Sequence, residues 1–158
     1  MELLVSISIV VVLTGVGLAA FVSYSRSQAL EQTAKDLKSG VEKAKFNNLS
    51  QIKPSGCVGP FTGYRIHFCV TSKANCQNTY DFEIDYQYSS ADTCATSIYT
   101  YKLPKNVSYS SSSVNCDIAI KSVSGAVSSV PALPCTIGIT GYGLSKTLVI
   151  DSSLNMTY

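Results

Sequence analysis

An α+β fold is expected for this chain: one long N-terminal helix, half membrane segment and half amphipathic spine, packed on an antiparallel β-sheet. Three observations predict it. From Leu3 to Val22 there is no charge, and most positions are Leu, Val, Ile, Ala or Phe. From Ser27 to about Leu49 apolar residues recur at steps of three and four. After Gly59-Pro60 the apolar period drops to two. These blocks divide the chain into residues 1–25, 26–52 and 53–158.

The first block has the length of a membrane helix. Twenty helical residues rising ~1.5 Å each span roughly 30 Å, the thickness of a bilayer's hydrocarbon layer. A cleaved secretory signal starts basic, has a shorter apolar core and ends at an A-x-A-like site. Here the start is acidic, and Leu18-Ala19-Ala20-Phe21 is a poor cleavage site. The segment is therefore expected to stay and span. Its one acid, Glu2, is notable because a carboxylate costs about 2.5–3.5 kcal/mol at the bilayer centre and less at its edge. Leu3, Leu4, Ile7, Val11, Gly15 and Leu18 are the expected membrane or packing positions. Gly15 and Gly17 soften the helix by about 1 kcal/mol each without breaking it.

The second block continues the helix without a Pro. Leu30, Ala34, Leu37, Val41 and Ala44 fall on one stripe, while Glu31, Lys35, Lys38, Glu42 and Lys45 fall largely elsewhere. Glu31 to Lys35 is an i, i+4 ion pair in the favourable order. Gly40 weakens the middle. Asn47-Asn48 and then Lys53-Pro54-Ser55-Gly56 end the helix. The stripe is expected to pack on the sheet that follows.

The third block reads as strands. Tyr64, Ile66, Phe68 and Val70 alternate with Arg65, His67, Cys69 and Thr71. Tyr80, Phe82, Ile84, Tyr86 and Tyr88 alternate with Asp81, Glu83, Asp85 and Gln87. Both have the period of half-buried strands, and Ser72 to Thr79 between them reads as the turn of a hairpin. Further strands are expected at Ile98–Leu103, Val107–Tyr109, Asp117–Val123, Thr136–Thr140, Thr147–Ile150 and Leu154–Tyr158. Pro131 and Pro134 mark a loop.

All six cysteines, Cys57, Cys69, Cys76, Cys94, Cys116 and Cys135, lie beyond the helix, and none has CxxC spacing. That excludes a zinc ribbon or thioredoxin-type site and fits disulfides in an oxidising compartment. The proposed turn puts Cys69 and Cys76 at one end of the hairpin and Cys57 and Cys94 at the other. A nine-residue strand covers about 30 Å, far beyond the ~7 Å reach of a bridge. The expected pairs are Cys69–Cys76, Cys57–Cys94 and Cys116–Cys135. A net charge of +2 with only 14% charged residues gives no reason to invoke nucleic acid. By charge alone, Arg26, Lys35 and Lys38 after the apolar run would hold the C-terminal domain in the cytoplasm. The cysteines place it outside. A short basic leader upstream of Met1 would reconcile the two.

No catalytic constellation is expected. His67 is the one histidine, and no Ser in a G-x-S-x-G turn accompanies it. Asp81, Glu83 and Asp85 share one strand face and are expected to be solvated. Neither a metal nor another cofactor is expected. Asn48-Leu49-Ser50, Asn106-Val107-Ser108 and Asn155-Met156-Thr157 fit the short glycosylation pattern.

The block Glu2-Leu3-Leu4-Val5, with Ser6 to Leu13 and Gly15-Val16-Gly17-Leu18-Ala19-Ala20 behind it, resembles the N-terminal signature of type IV pilins and type II secretion pseudopilins. The resemblance covers roughly the first 50 residues. In that family a prepilin peptidase removes a basic leader, and the helices of many subunits bundle into a filament. Glu2 matches the family's glutamate, which is thought to pair with a neighbouring subunit's N-terminal amine and set register. Met1 stands where the family has an aliphatic residue, so the cleavage site and the methylated N-terminal residue match no position here. Absence of the helix-breaking Pro common in major pilins makes the chain look more like a minor pilin or pseudopilin. The resemblance thus implies a structural, non-enzymatic filament subunit. Its implied partners are other pilin subunits, the inner-membrane assembly machinery, membrane lipid and, if a leader exists, the peptidase. The alternative expectation is a membrane-anchored binding module, an adhesin or DNA-uptake pilin, with Lys43, Lys45, Lys53, Lys73, Lys102, Lys105 and Lys121 available to form a basic patch.

Overall fold

The computed structural model describes residues 2–52, 61–70, 80–88, 98–110, 113, 116–122, 124–130 and 132–158. One helix, α1 (Glu2–Leu49), runs unbroken for 48 residues, or about 70 Å. Nine strands follow among the described residues: β1 (Phe61–Phe68), β2 (Phe82–Tyr88), β3 (Tyr99–Tyr101), β4 (Val107–Tyr109), β5 (Cys116–Lys121), β6 (Val127–Val130), β7 (Cys135–Gly141), β8 (Leu144–Ile150) and β9 (Met156–Thr157). The chain is α+β, as expected. Every pairing among these described strands is antiparallel.

The strands form two sheets rather than the single sheet expected. Sheet A has the order β3-β2-β1-β5-β6, and sheet B the order β4-β7-β8-β9. Alternation assigns each strand an inner face but not a partner. Thus β4 leaves its chain neighbour β3 and pairs with β7, with Val107 opposite Gly141. The β1–β2 pairing of the predicted hairpin is present, with Ile66 opposite Ile84; its connection, residues 71–79, lies outside the described residues. Strand β6 was not expected, because Val-Ser-Ser-Val is too short and polar to signal a strand. It forms by pairing with β5.

The helical stripe seats the two sheets. Leu30, Ala34, Leu37, Val41 and Ala44 are all buried and join one core with Tyr64, Ile66, Phe82, Ile84 and Ile118 of sheet A and Ile137, Ile139, Leu148 and Ile150 of sheet B. Burying each large aliphatic side chain contributes about 1.5–3 kcal/mol. Gly40 belongs to this seat. A Cβ there would lie 2.5 Å from Cε1 and 2.9 Å from Cζ of Phe82, so the missing side chain makes room for a ring. The disulfide Cys116–Cys135, one of the three expected, joins the first residues of β5 and β7 and so links the sheets.

Polar ties fix the helix lengthwise. The Tyr101 hydroxyl donates to Asp36 Oδ2 at 3.1 Å, and burial followed by this acid pushes the phenol's pKa up to about 12. Lys45 Nζ donates to the Ser153 carbonyl at 2.9 Å. The Tyr64 hydroxyl donates to the Ile52 carbonyl at 2.7 Å, just beyond the helix end. At the opposite end of the packed half, the Arg26 guanidinium lies 5.9 Å from the centre of the Tyr142 ring, at the tip of the β7–β8 hairpin. The hairpin therefore runs beside the helix, with its tip toward the N-terminal half.

Candidate assembly and membrane site

The N-terminal half of α1 leaves the domain bare. Leu3, Ile7, Val11, Leu18 and Phe21 are 71%, 53%, 64%, 63% and 67% exposed. Val10, Val12, Leu13 and Val16 are similarly exposed, so the apolar surface surrounds the helix rather than forming one stripe. Burial begins only at Ala29 and Leu30. α1 is the one helix among the described residues long and apolar enough to cross a membrane. Its Thr14 hydroxyl donates back to the Val10 carbonyl at 2.7 Å, which satisfies that donor without water.

Of the expected packing positions, Leu3, Ile7, Val11, Gly15 and Leu18 are described, and none contributes to the core. A Cβ at Gly15 or Gly17 would meet nothing within 4 Å. No contact among the described residues requires glycine there. The side chains of Glu2 and Leu4 lie outside the described residues, and Glu2 itself is the first residue of the helix.

Cys69 is disulfide-bonded and buried. Its partner, and Cys57, Cys76 and Cys94 with it, lie outside the described residues, as do the expected Cys69–Cys76 and Cys57–Cys94 pairings. No described cysteine is free.

The acidic face of β2 corrects an expectation. Asp81, Glu83 and Asp85 were expected in solvent, but Glu83 is fully buried and the two aspartates are half-buried. The physical reason is position. Strand β2 is interior to sheet A, with Glu83 opposite Thr100 on one side and His67 on the other. Asp81 Oδ2 accepts the Leu103 amide at 3.0 Å.

His67 lies in the same patch and is buried too. Its Nε2 is 3.6 Å from Asp85 Oδ2 and its Nδ1 is 3.6 Å from Asp117 Oδ2. Both distances are long for hydrogen bonds. Desolvation lowers its pKa against the pull of the aspartates, and Arg65 reinforces the lowering. Asp117 is held instead by a bidentate pair with Arg65, both bonds at 2.8 Å. The imidazole is braced across three strands, and no group of metal-binding side chains is found among the described residues.

Of the basic-patch lysines, Lys105 and Lys121 stand at opposite ends of the described fold. Lys105 lies beside Asn106, whose amide reaches the Tyr142 hydroxyl at the Arg26 end. Lys121 lies at the other end, where its carbonyl accepts from Asn48. Lys53 and Lys73 are outside the described residues. Asn48 is buried, so its sequon is closed to a glycosyl group in the folded chain, whereas Asn106 and Asn155 are exposed.

No family model, curated protein or solved structure matches the chain. The sequence pattern and the geometry therefore carry the functional reading alone.

Proposed function

We propose that the chain is a structural subunit of a type IV pilin-like filament, of the minor-pilin or pseudopilin kind. In this reading the N-terminal half of α1 holds the protein in a membrane and then bundles with the same helix of other subunits. The disulfide-stapled domain faces outward on the extracytoplasmic side. One observation carries the reading: an apolar rod, bare on all sides, continues without a break into a helix whose other half is seated in the core. Such a rod must be covered by lipid or by other helices, because exposed apolar patches of this extent are not left in water. Glu2 supports the bundle version. An acid at the rod's tip gains from a neighbour's amine, and a pair in a low-dielectric bundle counts for more than in water.

A photocrosslinking residue at Val11 tests this in cells that carry the assembly machinery. Adducts between chains, lost on Glu2→Ala, are the expected result. Adducts with lipid alone would leave an anchor and remove the filament.

A further inference from the structure

We propose that the β7–β8 turn is a second membrane contact, seating on an anionic lipid headgroup surface where α1 emerges. The proposal deepens the membrane reading of α1 and rests on it.

Position comes first. Arg26 lies one helical turn beyond Val22, the last residue of the apolar run, so its side chain reaches headgroup depth if the run spans. The Tyr142 ring lies against that guanidinium. Tyr142 and Leu144, 38% and 43% exposed, therefore face the same level. Tyr is a residue of the membrane–water boundary, where its ring and hydroxyl meet apolar and polar layers at once.

Charge agrees with position. Arg26 lies against the Tyr142 ring, and Lys105 adjoins Asn106, whose amide reaches the Tyr142 hydroxyl. Both cations are exposed. Positive charge beside a membrane helix matches an anionic leaflet.

The backbone supplies an independent sign. Gly141 pairs with Leu144, leaving a two-residue loop whose residues both have positive φ, 57° at Tyr142 and 79° at Gly143. Such loops favour Asn-Gly. A bulky aromatic in the left-handed region is an outlier, and outliers of this kind collect where function retains them. Here the strain holds a tyrosine at the tip, outside the core.

The chain has no Trp, so single-Trp variants of the full-length protein report depth directly. Three are reconstituted into bilayers brominated high on the acyl chain: Phe21→Trp in the rod, Leu144→Trp at the turn, and Leu49→Trp about 35 Å along the helix from Arg26. Each is measured in phosphatidylcholine alone and with phosphatidylglycerol. Tyr142→Trp replaces Leu144→Trp if the latter fails to fold. The expected result is quenching and a blue shift at Phe21→Trp and Leu144→Trp but not at Leu49→Trp. The turn's quenching should deepen with phosphatidylglycerol and, in the Leu144→Trp chain, weaken when Tyr142→Asn is added. If Phe21→Trp is quenched and the turn reporter behaves like Leu49→Trp, the span stands and this proposal is overturned. If quenching at the turn ignores lipid charge, the anionic-surface assignment is overturned. If Phe21→Trp is unquenched, the membrane reading fails and takes the proposal with it.

Discussion

Gly40→Ala sets two opposing effects against each other at one atom. On an isolated helix the change gains about 1 kcal/mol of propensity. In this fold the new Cβ would stand 2.5 Å from the Phe82 ring and 3.2 Å from Tyr99 Cε1. The ring has little room to retreat. Phe82 is fully buried, with Phe68 edge-on at 4.8 Å and Tyr99 at 6.0 Å between centroids. Forcing a methyl into such a core costs about 1–3 kcal/mol. The net expectation is a loss of about 0–2 kcal/mol, overpacking prevailing over the propensity gain. Urea titration of the full chain in detergent, followed by near-ultraviolet circular dichroism, reads this as a lowered midpoint at unchanged slope. Trimming the ring provides the internal check. In a Phe82→Leu background the clash is relieved, so Gly40→Ala should change sign and stabilise. If Gly40→Ala stabilises the protein with Phe82 intact, the account of this seat is wrong.

Three further outcomes are expected. His67 has a folded pKa below its ordinary 6.5 because burial disfavours its charge. Between those two values the unfolded chain binds the proton that the fold resists, so the stability is complete above pH 6.5 and declines as pH falls below it. Urea midpoints across that interval should show the decline, and His67→Gln should flatten it. Removing the Cys116–Cys135 bridge, which closes a separation of 19 residues, should cost about 3 kcal/mol by chain entropy; Cys116→Ala/Cys135→Ala in the same titration checks it. Tyr142→Asn should add about 1 kcal/mol of stability, read as a raised urea midpoint, because Asn suits the left-handed turn. A lowered midpoint would show that the tyrosine stabilises the turn.

Local pattern made much of this fold legible. The stripe Leu30, Ala34, Leu37, Val41 and Ala44 was readable because its spacing is the helix period and all five positions are buried. Strands β1 to β5 and β7 to β9 were legible within a few residues at their ends, β1 and β2 from alternation. Alternation does not say what covers the outer face of a sheet. Glu83 therefore looked like a solvent-facing residue, while in the fold it and His67 occupy the middle of sheet A beside Arg65, Asp85 and Asp117. Nor does it say which strand pairs with which, so the division into two sheets was hidden. Gly40 looked like a flaw in the helix because the ring that needs the space comes from 42 positions later in the chain. At the candidate site, the apolar rod was plain from composition. The Tyr142 turn was not, since only the folded hairpin brings it to Arg26; the Gly-Tyr-Gly sequence at 141–143 was the one available hint.

An unbroken helix from the rod into the core also acts as a crankshaft. Its two halves cannot turn independently, so the compass bearing of the domain is dictated by the azimuth at which the rod is gripped. Deleting a single residue between Ser23 and Gln28 would swing everything downstream by about 100° while drawing it inward by only about 1.5 Å. A chain altered in this way would keep its apolar rod and its core yet present a different flank to its surroundings.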